Sequence, residues 1–171
     1  MYMKIILDPE QLKLTIQRLA HQLTEDGLDF AQTVFIGIQP RGIRFADRIV
    51  EQIRRLYPGE KVQYGKLDIT FYRDDVRDGI HLANQTSIEF SMEGKTVILI
   101  DDVLYTGRTI RSALDALLDF GRPAKVELCA LIDRRFSREL PIQPDYCGKS
   151  IDSIVTQRVT VEWEAEQVVL H

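Results

Sequence analysis

Val97-Ile98-Leu99-Ile100-Asp101-Asp102-Val103-Leu104-Tyr105-Thr106-Gly107-Arg108-Thr109 is the stretch on which the reading of this chain turns. Four consecutive apolar residues make a buried strand. Two adjacent carboxylates follow, then a short loop with two threonines and a glycine. Thr109 to Phe120 has apolar residues at helical spacing (Ile110, Ala113, Leu114, Leu117 and Leu118), and Gly121 ends it. A strand that delivers acids and then opens into a helix N-terminus makes an anion site, because first-turn N–H groups are unsatisfied and carry partial positive charge. Gly107 permits close backbone approach, and the hydroxyls of Thr106 and Thr109 can donate further bonds. Two carboxylates beside a phosphate cradle suit a ligand that also carries hydroxyls or a divalent metal, and a sugar phosphate meets both demands. The blander reading, in which Asp101 and Asp102 only cap the helix, leaves the rest of the pattern without a purpose.

Working outward, the same alternation recurs. Asp8-Pro9-Glu10-Gln11 opens a helix with a capping box, and Leu12, Ile16, Leu19, Ala20 and Leu23 form its apolar stripe. Thr33 to Ile38 is a short apolar strand that runs into Gln39-Pro40-Arg41-Gly42. A second helix carries Ile43, Ala46, Ile49, Val50, Ile53 and Leu56 on one face, until Pro58-Gly59 stops it. Val62 to Tyr72 alternates as a strand, Arg73 to Asn84 is an aperiodic charged loop, and Thr86, Ile88 and Phe90 alternate again as the second half of a hairpin-like pair. Val126 to Ile132 is another continuous apolar strand that holds Cys129 as a packing residue, while Cys147 lies in a loop-like stretch. Apolar strands alternating with helices imply an α/β fold with a mostly parallel central sheet flanked by helices, and ligands gather at the carboxyl ends of such strands.

Length and composition set the outer bounds. The chain has 171 residues, 44% of them hydrophobic and 28% charged, which suits a single domain over 1–171 with its own core. The formal charge of −4 excludes a wholesale basic footprint, so any nucleic-acid contact needs a local patch. With two cysteines there is no disulfide framework, and no stretch is apolar enough for a membrane span or signal peptide. The expected setting is cytoplasmic, with no membrane partner. Gly94-Lys95-Thr96 and Gly148-Lys149-Ser150 imitate the end of a P-loop, but Glu89 and Gln143 occupy the required first glycine.

The strand, acid-acid and Thr-Gly-x-Thr segment resembles the phosphoribosyl-pyrophosphate (PRPP) loop of the type I phosphoribosyltransferases. Ile38-Gln39-Pro40-Arg41-Gly42 falls where this family places its pyrophosphate loop. Ile69-Thr70-Phe71-Tyr72-Arg73-Asp74-Asp75 looks like the start of its flexible lid loop. Arg138-Glu139-Leu140-Pro141-Ile142 and Asp145-Tyr146-x-Gly148-Lys149 resemble the branch that pairs uracil phosphoribosyl transfer with control of pyrimidine operons. The resemblance implies the type I phosphoribosyltransferase fold with a small hood. It also implies conversion of uracil and PRPP to UMP and pyrophosphate, with Mg²⁺ accompanying PRPP.

By the same resemblance, Asp101 and Asp102 hold the ribose hydroxyls and can touch the metal. Thr106, Gly107, Arg108 and Thr109 cradle the 5′-phosphate, Arg41 and Gly42 meet pyrophosphate, and Arg73 closes over the leaving group. Tyr105, Asp133, Arg134 and Phe136 belong to the base region. Purine relatives carry an acid where this chain has Tyr105, which favours a pyrimidine here, although a purine enzyme or a catalytically idle nucleotide sensor remains open. Asp133-Arg134-Arg135-Phe136-Ser137-Arg138 departs from the family's Asp-Arg-Gly-His-Arg-Glu by one extra residue, and leaves Phe136 open between stacking on a base and lining an interface. Arg41 at a helix start opposes the helix dipole, a conflict that an anion would relieve. His81 reads as a solvated loop residue, and Trp163 with Val159 and Val161 as core or interface. For regulation, Arg18, His21, Arg138 and Lys149 are candidate contacts to leader mRNA. A homodimer or larger assembly is expected.

Overall fold

The computed structural model describes residues 2–70 and 86–171. Five parallel strands make the central sheet. They are β2 (Thr33–Gln39), β3 (Gln63–Asp68), β4 (Thr96–Leu104), β5 (Lys125–Arg135) and β6 (Tyr146–Asp152), in spatial order β3-β2-β4-β5-β6. Because β2 and β4 are covered on both faces, their central runs, Val34-Phe35-Ile36 and Val97-Ile98-Leu99-Ile100, are apolar without a break, as parallel strands require. The alternation sorts them. Phe35, Ile98, Ile100, Cys129 and Leu131 pack under α1 (Pro9–Thr24) and α2 (Ile43–Leu56). Val34, Ile36, Leu99, Leu128 and Ala130 pack under α3 (Arg108–Leu117). Each large side chain fully buried in this way contributes about 1.5–3 kcal/mol of transfer free energy.

Helix α1 starts as its sequence dictates. Asp8 accepts a hydrogen bond from the Gln11 amide at 2.8 Å while Gln11 accepts one from the Asp8 amide at 2.9 Å. Neither α2 nor α3 has a side-chain cap, and each starts at a glycine, Gly42 and Gly107. Both of these glycines stand at strand ends. All five strands run the same way, so Gln39, Asp68, Leu104, Arg135 and Asp152 close one edge of the sheet.

Three expectations change. Strand β3 stops at Asp68 rather than Tyr72, and the hairpin-like pairing shrinks to one antiparallel bridge, Lys66 with Ser87. Cys147 lies in β6, not in a loop. Strand β6 is an edge strand with one neighbour, so it needs no apolar run, and Gly148 lets it pack against the Leu131 carbonyl, where a side chain would collide. The hood is a separate antiparallel sheet, β1 (Lys4–Leu7), β8 (Gln167–Leu170) and β7 (Val159–Glu162), which joins the chain's first strand to its last. Trp163 is buried there, under the Arg48 guanidinium at 4.8 Å, and Arg44–Glu164 (2.5 Å) and Arg48–Glu166 (2.9 Å) tie α2 to the β7–β8 turn.

Candidate active site

Gly107, the second residue of the phosphate loop, has φ +94°, a left-handed conformation that a side chain would strain. It leaves the first turn of α3 open to an anion. The loop's carbonyls are engaged from outside. Glu139 and Leu140 donate their amides to the Thr106 carbonyl at 2.9 and 3.2 Å, and Arg138 donates to the Tyr105 carbonyl at 2.7 Å. The Arg108 side chain is ion-paired with Glu139 at 2.6 Å, so what Arg108 offers the loop's interior is its backbone. The segment that zips onto this loop, 138–140, was not singled out as structural by its sequence. Its charges read there as surface charges.

Beneath the loop, Asp101 is buried and Asp102 half-buried. Asp101 Oδ1 accepts the Asp102 amide at 2.9 Å, and Asp102 Oδ1 accepts the Val103 amide at 2.7 Å, which locks both carboxyls in place. Burial raises the pKa of Asp101 well above the ordinary carboxylate value, and the Asp102 charge beside it adds to the rise. Burial also raises that of Asp102. Arg41 pulls both back down. A Cβ on Gly42 would stand 2.7 Å from the Ile38 carbonyl oxygen, 2.8 Å from Asp101 Oδ1 and 2.9 Å from the Ile100 carbonyl oxygen. Only glycine fits.

The end of β5 supplies the third wall. Asp133 and Arg134 are buried side by side in sequence but point to different partners. Asp133 pairs with Arg138 at 2.6 Å. Arg134 lies 4.0 Å from the centre of the Tyr105 ring and donates to Ser153 Oγ, the Ile154 carbonyl and the Gln157 carbonyl. The Phe136 ring is 86% exposed at φ +65°, beside the Arg135 guanidinium.

Asp68 also stands at the strand edge, unsuspected from sequence because it occupied an ordinary polar position of an alternating strand. It is buried. Its Oδ1 accepts from the Thr70 amide and hydroxyl at 2.9 and 2.6 Å, its amide donates to Thr86 Oγ1 at 3.0 Å, and its Oδ2 has no partner among the described residues.

The family model described as "Phosphoribosyl transferase domain" matches residues 3–166. A "Bifunctional protein PyrR" from Elusimicrobium minutum is 47% identical over 161 residues, which cover 93% of this chain and 89% of the relative. One from Enterococcus faecalis is 44% identical over 162 residues, 94% and 90% of the two chains. The chain belongs to the PyrR family of phosphoribosyltransferases. Among solved structures, a hypoxanthine phosphoribosyltransferase from Staphylococcus aureus superposes with a TM-score of 0.68 at 24% identity, over 88% of this chain and 79% of that one. That likeness concerns the fold alone, which is the expected type I architecture.

Set in the PyrR frame, the candidate RNA contacts do not form one free patch. Arg138 is held between Asp133 and Tyr105, with its side chain largely buried. Arg18 donates to the Cys147 carbonyl at 3.4 Å and the Gly148 carbonyl at 2.5 Å, which pins α1 to β6. Lys149 donates to the Ile6 carbonyl at 3.2 Å, and His21 is exposed in the last turn of α1. Arg73 and His81 lie outside the described residues.

Asp101 and Asp102 fit a hard, oxygen-loving cation, because their carboxyl oxygens are fixed next to one another at one strand end. Among the described residues, however, no group of three or more His, Cys, Asp or Glu could hold a metal. The fit is to a cation that brings most of its own oxygen ligands. No helix among the described residues is long and apolar enough to cross a membrane.

Proposed function

We propose that this chain transfers the phosphoribosyl group of PRPP to uracil, making UMP and pyrophosphate in a cytoplasmic setting. The supporting observation is that the locked acid pair, the close-packed turn at Gly42 and the N-terminus of α3 meet on one sheet edge. In this reading Asp101 and Asp102 accept the ribose 2′- and 3′-hydroxyls and so orient C1. Thr106, Gly107, Arg108 and Thr109 hold the 5′-phosphate, chiefly through backbone amides. Arg41, with the close-packed turn at Gly42, receives pyrophosphate, and Arg73 joins it. At C1 the bond to uracil N1 forms as the bond to the pyrophosphate oxygen breaks, and the N1 proton leaves to solvent or to the departing pyrophosphate. Positioning and stabilisation of the departing negative charge carry the catalysis. Asp101 and Asp102 would border the Mg²⁺ that accompanies PRPP, and the ion would neutralise charge on the pyrophosphate.

Tyr105 supports a pyrimidine, since it offers no carboxylate for a purine proton. Release of pyrophosphate from PRPP with uracil, against hypoxanthine, guanine, xanthine and orotate, tests the assignment. Turnover with a purine and none with uracil sinks it.

The relatives' bifunctional name favours a second activity, binding of pyrimidine-operon leader mRNA under control of UMP. In this reading His21, Lys149 and Arg18 are the contacts, with Lys149 also bonded to the Ile6 carbonyl and Arg18 to the Cys147 and Gly148 carbonyls. Counterion release then makes affinity fall with salt by a logarithmic slope of about 0.7–0.9 per phosphate contacted. A gel shift with leader RNA, with and without UMP, checks this, and absent or salt-insensitive binding removes it. Such a surface is more useful when repeated, and a homodimer or larger assembly is part of the reading. A strict monomer by light scattering at micromolar concentration contradicts it.

A further inference from the structure

Arg134 is the least expected charge in the molecule. It is 5% exposed, and its partners are a hydroxyl, two carbonyl oxygens and an aromatic ring. None of these, among the described residues, is a carboxylate. A buried cation without an opposite charge is costly, and a neutral side chain could tie a loop equally well. What a guanidinium adds is a flat, rigid face that stacks on an aromatic ring while its edge donates several hydrogen bonds.

Tyr105 is gripped at two points and its neighbour Thr106 at a third. Arg138 takes its carbonyl, Glu139 and Leu140 take the carbonyl of Thr106, and Arg134 covers its ring. The first two fix the backbone, and the Arg134 contact acts on the ring itself. Arg134 is itself immobilised by a turn that closes on itself, where Gln157 donates its amide to the Ile154 carbonyl at 3.0 Å and Ile154 donates to Gln157 Oε1 at 2.9 Å.

We propose that Arg134 is a positioning residue for base selection, which anchors on the 153–157 turn and holds the Tyr105 ring in the orientation that admits a pyrimidine. The inference deepens the phosphoribosyl-transfer reading and rests on it. It also makes the 153–157 turn, remote from the phosphate loop in sequence, a part of specificity.

The test uses the full chain with Arg134→Lys, Tyr105→Leu, their double variant and Ser153→Ala. The readouts are kcat/KM for uracil and for hypoxanthine, KM for PRPP, and Tm. Lysine keeps the charge but loses the stacked plane. Arg134→Lys should lower the preference for uracil over hypoxanthine about tenfold, with KM for PRPP changed less than about twofold. Adding Tyr105→Leu to it should cost little more, because both changes remove one arrangement. Ser153→Ala, which spares both the guanidinium and the ring, should shift the same preference in the same direction by a smaller factor. Should Arg134→Lys fail to fold, this variant carries the test. Unchanged base preference in the folded variants, losses that multiply in the double variant, or a parallel rise in KM for PRPP overturns the proposal. A wild-type protein that uses only a purine would instead sink the uracil assignment, and the Arg134–Tyr105 coupling would still be read with that purine.

Discussion

Gly42 and Asp101 touch: a single added carbon on the glycine would stand 2.8 Å from the aspartate's Oδ1. The turn after β2 and the end of β4 therefore form one surface. Gly42 has φ −76°, an ordinary value, so the demand for glycine here is one of space and not of backbone freedom. Gly42→Ala is expected to push the loop off the acid pair, costing about 1–3 kcal/mol as overpacking does. KM for PRPP should rise by more than the change in Tm alone explains. Wild-type kinetics in that variant would show that the two loops need not touch.

Asp102→Asn should reduce kcat/KM for PRPP about ten- to hundredfold, the worth of one charge-assisted hydrogen bond of about 1.5–3 kcal/mol. An amide both donates and accepts, whereas ribose hydroxyls need an acceptor. A change below about twofold removes the ribose role from Asp102.

Stability should also depend on pH through Asp101. Its pKa in the folded protein is raised by burial and by Asp102, so the folded state holds the proton more tightly than the unfolded chain, where the value is about 3.9. The resulting stabilisation is full below that unfolded value and is lost as pH rises through the folded one. Asp101→Asn, free of that loss, is expected to melt higher than wild type at pH 8, with the gap closing toward pH 4. Thermal melts of the ligand-free proteins across that range check it. A gap that widens on acidification contradicts it.

Arg138→Gln should destabilise the fold, since it leaves the buried Asp133 without its 2.6 Å partner. The loss for a broken buried pair is about 3–5 kcal/mol, and the remaining exposure of this one argues for the lower part of that range. Adding Asp133→Asn should recover most of it, because the uncompensated charge disappears. Additive losses in the double variant, measured by denaturant titration, would mean that the pair is not what holds the 138–140 segment.

Much of the layout is legible from sequence for a local reason. Phe35 and Ile36, or Ile98 and Leu99, face opposite sides of the sheet, so continuous apolar runs announced strands covered twice. The Asp8–Gln11 box and the Thr106-Gly107-Arg108-Thr109 turn are likewise written in neighbouring residues. The family resemblance implied a hood, but its strands escaped a residue-by-residue reading because they have four residues each, and Lys4 meets Leu170 across nearly the whole chain. Nothing local marks that pairing.

Charged side chains divide the two kinds of knowledge most sharply. Sequence by itself determined that Asp101 and Asp102 arrive together at a strand end ahead of a helix, since covalent order and strand periodicity compel it. Only the tertiary structure decided that Gly42 would press on Asp101, that Arg138 would turn inward to Asp133, and that Arg134 would lie on Tyr105. Whether an arginine is solvated or buried depends on which distant carbonyls, rings and acids the packing brings within about 3–4 Å of it, and that distance is a property of the whole fold.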